Sequence, residues 1–162
     1  MPRLVTTCSA PKPKPSVAEV VGQVLLDDLG FLLARASAVA VAAGNDALRP
    51  LGLTVRAFAA LTLAAEHDGI TQREISDFLR LDPSRVVAIV DDLEDCGFVS
   101  RVVARDDRRM KAVVATPAGR ELFREAVAAT RQAQQDAFPL TAPEARTEAI
   151  RMLRLLAFPD ER

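Results

Sequence analysis

The sequence predicts a mainly α fold: six helices and one two-stranded β-hairpin. Three observations predict it. Apolar residues make up 49% of the 162, rich in Ala, Val and Leu, with 7 Phe and neither Trp nor Tyr, a mix suited to helices packed on helices. Helix starts are marked repeatedly by capping chemistry. Residues 98–116 then abandon the helical apolar spacing for two short Val-rich runs.

The capping signals place the helices in order. Ser16-Val17-Ala18-Glu19, Thr71-Gln72-Arg73-Glu74 and Thr141-Ala142-Pro143-Glu144 each fit a capping box, in which a hydroxyl and a carboxylate three residues on exchange bonds with the backbone. Asp82-Pro83 and Thr116-Pro117 pair an N-cap with Pro at the first helical position, and Thr54 caps a further helix. The expected helices are 16–48, 54–67, 71–79, 82–96 (closed by Gly97), 117–137 and 141–157, with Pro139 parting the last two. The first is long for a globular helix, which points to packing beyond its own domain. "FVSRVVAR" and "RMKAVVAT" read as strands flanking the turn-prone Asp106-Asp107.

Composition excludes several classes. Lys and Arg number 21 against 22 acids, so the chain is no polycation, and attraction to nucleic acid must come from local clustering. Cys8 and Cys96 form neither a disulfide framework nor a metal spacing, and a cytoplasmic, nucleoid-associated setting is expected. "PKPKP" at 11–15 reads as the extended end of a flexible arm covering 1–15. The N-terminus lacks the apolar run of a signal peptide, and no stretch is expected to span a membrane. No nucleophile–base set, phosphate loop or dinucleotide fingerprint is present, so no enzyme, metal or cofactor is expected. His67, the one histidine, and the acidic run Asp91, Asp92, Glu94 and Asp95 read as solvated helix surface.

Helix 71–79, a tight turn, helix 82–96 and a hairpin follow the order of a winged helix-turn-helix, whose second helix enters the DNA major groove. Val86, Ile89, Val90 and Leu93 fall at core spacing. Ser84, Arg85, Val87, Ala88, Asp91 and Asp92 are left outward. Arg85 can grip guanine, Ser84 a phosphate or base edge, and Val87 and Ala88 suit thymine methyl groups. The acids late in the helix repel phosphate, so its N-terminal end should enter the groove. Segment 71–95 holds three Arg against seven acids, whereas 97–131 holds eight basic residues, Arg101 among them, against four acids. The hairpin therefore carries the positive charge, and an Arg at its tip can enter a narrow minor groove.

Residues 53–123, above all Asp107-Arg108-Arg109 with "VVATPAG" after it, resemble the MarR family of bacterial regulators, and the likeness extends over about 20–157. The resemblance implies a homodimer on a palindromic duplex, with 16–53 and 117–162 as dimerisation helices and 54–116 as the DNA-binding lobe of a single domain, 16–162. It implies that Asp107 braces the wing, Arg109 enters the minor groove and Arg108 lies on phosphate, with Arg105 and Lys111 beside them. Thr71, Gln72, Pro83, Ser84, Arg85, Val87 and Ala88 complete the expected DNA contacts. Position 88, often polar or basic in the family, is Ala, and position 92, often Arg, is Asp, which shifts weight to Arg85 and the wing. A small aromatic or phenolic effector is expected near Phe31 and Phe58, with Arg35 as partner for a carboxylate. Alternative readings are a cysteine-based redox-responsive regulator and a winged helix that binds only protein.

Overall fold

The computed structural model describes residues 23–103, 111–139 and 142–159. The chain forms two compact units, Met1–Ala38 and Val39–Arg162.

In the N-terminal unit a short helix, α1 (Gln23–Leu26), stops before Asp27, and α2 begins at Leu29. The expected helix 16–48 is thus broken within the described residues. The cause is local. The Asp28 carboxylate accepts from the Phe31 amide at 2.6 Å, and its carbonyl accepts from Leu32 at 3.0 Å. A carboxylate that satisfies a first-turn amide is an N-cap, so Asp28 restarts a helix where apolar spacing alone predicts continuation. Residues 16–22, with the Ser16–Glu19 capping box, lie outside the described residues, as do the arm 1–15 and Cys8.

Helix α2 (Leu29–Leu48) runs on into the second unit and ends in a 3₁₀ turn, Arg49–Leu51, closed by left-handed Gly52. Then follow α3 (Val55–Glu66), β1 (Ile70–Thr71), α4 (Gln72–Leu79), α5 (Pro83–Asp95), β2 (Val99–Val103), β3 (Lys111–Ala115), α6 (Pro117–Ala137) and α7 (Pro143–Ala157). Among the described residues there are seven α-helices where six were expected, and three strands where two were expected. The added strand, β1, is two residues long and has no period of its own. It exists because Ile70 and Thr71 pair antiparallel with Val113 and Ala112, making β3 the central strand of the order β1-β3-β2.

Leu48, Leu61, Ile75, Val86, Val90, Val99 and Val113 are fully enclosed and join the end of α2 to α3, α4, α5 and both wing strands. Leu122 and Ala126 of α6 complete this core. Thr54, Thr71, Asp82 and Thr116 each cap a helix through the side chain, as their sequence positions predict. α7 differs: Ala142 holds its N-cap without a side-chain bond, and Thr141 lies outside the described residues.

The start of α6 is seated on the turn that follows α5. The Thr116 amide donates to the Phe98 carbonyl at 3.0 Å, and its hydroxyl donates to that of Gly97 at 2.7 Å. Gly119, one turn on, lies so close to Phe98 that a Cβ there would fall 1.9 Å from its carbonyl oxygen.

Leu29–Leu51 is long and apolar enough, by length and composition, to cross a bilayer. Its Gly, Ala and Ser residues interrupt the large apolar side chains without adding charge, so the average stays high. Leu29, Leu32, Val39 and Val41 are exposed, and so are Ile150, Leu153, Leu155 and Leu156 of α7.

Candidate nucleic-acid interface

The α4–α5 turn is fixed from inside. The buried Ser76 hydroxyl donates to the Leu81 carbonyl at 2.7 Å, and the Leu81 amide returns a bond to the Ser76 carbonyl at 3.1 Å. Arg80 turns the chain in the left-handed region, with φ +50, and its side chain stands in solvent. A non-glycine residue held there costs about 1–2 kcal/mol, which the Ser76–Leu81 pair helps to offset.

From this turn α5 projects with its expected faces. Val86, Val90 and Leu93 are buried, and Ile89 packs against the core. Pro83, Ser84, Arg85, Val87 and Ala88 are exposed together along its first two turns. Arg85 makes no ion pair and no side-chain hydrogen bond among the described residues, so its fork of donors is open. Asp82 accepts from the Ser84 hydroxyl at 2.5 Å and from its amide at 2.8 Å. These two bonds, the hydroxyl first, hold the Asp82 carboxyl below its usual range. Held this way, the Ser84 oxygen has only lone pairs to offer. It suits the amino group of adenine or cytosine better than a phosphate.

At the start of α4 the Thr71 hydroxyl and amide are both taken up by Glu74, in the reciprocal capping box. Gln72, the first residue of that helix, is half-buried, and its amide nitrogen is enclosed without a hydrogen-bond partner among the described residues. Lys111 is exposed where β3 begins. Arg105, Asp107, Arg108 and Arg109 lie outside the described residues.

The Thr71 amide, then its hydroxyl, lowers the pKa of Glu74 from 4.5. A depressed carboxyl stabilises the fold above its unfolded pKa, and that contribution is lost as pH falls through the folded value. Resistance to urea unfolding should therefore fall on acidification below about pH 4.5, and Glu74→Gln should flatten that part of the profile while leaving the other carboxylates to titrate.

Arg101 corrects the charge assignment. Counted from sequence with the basic wing, it instead pairs with Asp91 and Glu94 of α5. Two of the four acids late in α5 are thereby neutralised. Its place two residues after the buried Val99, on the same strand face, was the signal that could have found it: a charge directed inward needs a partner. Arg73 and Arg80 are exposed cations beside the helix-turn-helix that sequence reasoning did not single out.

A cavity of about 160 Å³ opens between the second half of α2, the start of α3 and the end of α6. Ala40, Ala43, Gly44, Ala133 and Ala137 make room for it, Phe58 and Phe138 wall it, and Thr130 and Gln134 are its polar groups. Phe58 stacks on Phe123, with centroids 6.3 Å apart. The Gln134 side-chain oxygen Oε1 accepts from Arg146 of α7 at 3.4 Å. Ala60, Ala64 and Ala126, nearby on α3 and α6, are close-packed in the core instead. Phe31 is half-buried and Arg35 exposed in the N-terminal unit. Among the described residues no group of three or more His, Cys, Asp or Glu could hold a metal, and Cys96 is an exposed thiol at the end of α5.

A helix-turn-helix presenting an open first turn beside two wing strands defines a DNA-binding transcriptional regulator. The chain belongs to the MarR family. That family's signature matches residues 51–110. An HTH-type transcriptional repressor of Mycobacterium tuberculosis is 35% identical over 135 residues, which is 82% of this chain and 96% of that protein. The same repressor, solved in complex with DNA, matches at 30% identity with a TM-score of 0.67, over 80% of this chain and 97% of its own. It has also been solved with salicylic acid. A MarR-family regulator from Rhodococcus sp. RHA1 matches with a TM-score of 0.80 and 38% identity, over 85% of this chain and 97% of its own. CouR from Rhodococcus jostii RHA1, solved bound to p-coumaroyl-CoA, matches with a TM-score of 0.77 and 39% identity, over 86% and 99%.

Proposed function

We propose that this protein is a homodimeric, cytoplasmic repressor that binds a palindromic operator and releases it when a small aromatic or phenolic ligand is bound. The observation that carries the reading is the open face of α5, where Arg85, Ser84, Val87 and Ala88 stand exposed opposite a buried Val86, Val90 and Leu93. Arg85 reads a guanine, Ser84 accepts from a base amino group, and Val87 and Ala88 meet thymine methyl groups. Pro83, Thr71 and Gln72 border the phosphates. In the wing, Arg109 enters the minor groove, Arg105, Arg108 and Lys111 lie along phosphate, and Asp107 braces the wing. The complex of the M. tuberculosis repressor with DNA supports the reading. A second copy of the chain would cover the exposed apolar side chains of α2 and α7, and this covered face, not a bilayer, accounts for the apolar character of α2.

The cavity walled by Phe58 is the effector site in this reading. A space of about 150 Å³ holds one benzene ring, so the cavity admits a single substituted ring. The Gln134 side-chain oxygen faces Arg146, which leaves its amide NH₂ to donate to a carboxylate or phenolate. Salicylic acid and the p-coumaroyl group in the relatives carry such rings. Phe31 and Arg35, in the N-terminal unit, remain further candidates. The protein regulates and does not catalyse.

Selection of bound duplexes from random DNA tests the central reading. A palindrome with half-sites about one helical turn apart is expected, with affinity falling steeply as salt rises. Recovery of no enriched sequence would overturn it. For the effector, a panel of single-ring aromatic acids should contain one that lowers affinity for the selected duplex. Ala133→Leu, which fills the cavity, should abolish that response and leave unliganded binding intact. A response that survives the filled cavity places the effector elsewhere.

A further inference from the structure

The two strands of the wing leave the body of the protein along α5, and a single side chain marks where they part from it. Val99, Arg101 and Val103 share one face of β2. Val99 is in the core and Val103 is 61% exposed. Arg101, between them, is 18% exposed. One guanidinium nitrogen bonds Glu94, another bonds Asp91, and the Arg101 amide donates to Glu94 Oε1 at 2.8 Å. Asp91 and Glu94 are three residues apart and so lie on one side of α5. Burial opposes the Arg101 charge, but the bonds to the two carboxylates more than offset it and the group stays ionised. The Arg101 amide, then its guanidinium, in turn holds the Glu94 carboxyl below its usual range.

The register extends the attachment across the sheet. Arg101 lies opposite Val113 of β3, and Val113 lies opposite Ile70 of β1. Beyond Arg101, β2 carries only exposed Val102 and Val103 before residues 104–110, and β3 sets the buried Ala112 and the exposed Lys111 opposite them. The groove-facing residues of α5, Pro83 to Ala88, end about one turn before Asp91. A planar fork spanning two carboxylates fixes direction as well as distance, which a single ammonium cannot do.

We propose that Arg101 is a positioning residue for DNA recognition. By tying β2 to Asp91 and Glu94 it sets the separation between the groove-facing end of α5 and the wing, and hence the operator spacing at which both bind together. The inference rests on the DNA-binding reading above.

The test uses a duplex that the full-length protein itself selects from random DNA, and a second duplex with the A·T-rich flank moved outward by one base pair. The wild-type protein should bind the shifted duplex on the order of ten-fold more weakly. Arg101→Gln should bind the two duplexes alike. Arg101→Lys keeps the charge but cannot span both carboxylates, and it should lose the discrimination too. A merely destabilised protein has fewer active molecules but an unchanged ratio, so an unchanged ratio in both variants overturns the proposal. Adding Asp91→Asn and Glu94→Gln to Arg101→Gln removes the freed negative charge, and the discrimination should stay lost. Its return would make Arg101 a charge neutraliser and also overturn the proposal. Selection of no duplex at all would remove the DNA-binding reading and this inference with it. A selected duplex with wild-type discrimination in both variants would remove this inference alone.

Discussion

Gly119→Ala should destabilise the protein by about 3 kcal/mol, at the upper end of what overpacking usually costs. The added Cβ would meet the Phe98 carbonyl oxygen at 1.9 Å, its carbon at 2.9 Å and the Phe98 Cα at 3.3 Å. All three are backbone atoms, so no rotamer change relieves the overlap. α6 would have to lift from the turn, and lifting it breaks the bonds of Thr116 to Gly97 and Phe98. Ala gains about 1 kcal/mol over Gly in a helix interior, and the contact must exceed that gain. Urea denaturation with an unchanged m-value decides it. An unchanged or higher midpoint would mean that α6 does not sit against Phe98 as described.

Arg85→Ala should produce the largest loss of DNA binding by a single residue. One bidentate contact to guanine is worth about 1–3 kcal/mol, and a symmetric dimer makes it twice, for a total near 2–6 kcal/mol on the best operator. Specificity should relax at one symmetric pair of positions, read by titrating duplexes altered at each base pair. Stability should hardly move. Arg85 is exposed and makes no ion pair among the described residues, and surface changes of that kind fall within about 0.5 kcal/mol. An equal loss on cognate and random duplexes would instead make Arg85 a phosphate contact.

What could be read in advance was the chemistry that a short segment completes on its own. Thr54, Thr71, Asp82 and Thr116 each satisfy an amide two or three residues away, and each marks a helix start where expected. The inward spacing of Val86, Val90 and Leu93 identified the outward face of α5 by subtraction. Asp28 was missed although its capping is equally local, because the apolar spacing runs through it without a change of phase. β1 could not be seen: two residues acquire strand character only from a partner more than forty positions away, Ile70 from Val113 and Thr71 from Ala112. The lining of the cavity could not be read for the same reason. Alanines at 57, 60, 64 and 126 and those at 40, 43, 133 and 137 look alike in sequence, and only the helix crossings decide which close up and which leave a gap.

The central position of β3 has a mechanical consequence. A free two-stranded hairpin could swing about its base while the helices stayed still. Here the same strand that forms the wing is also bonded to Ile70 and Thr71, the residues immediately ahead of α4. Any tilt of β3 therefore pulls on the first turn of the helix-turn-helix. The base of the wing and α4 thus share one elastic element, while the tie of the wing to α5 rests on Arg101. A signal that weakens DNA binding has little to gain by bending such a body. It acts more cheaply by moving the whole body to a different place.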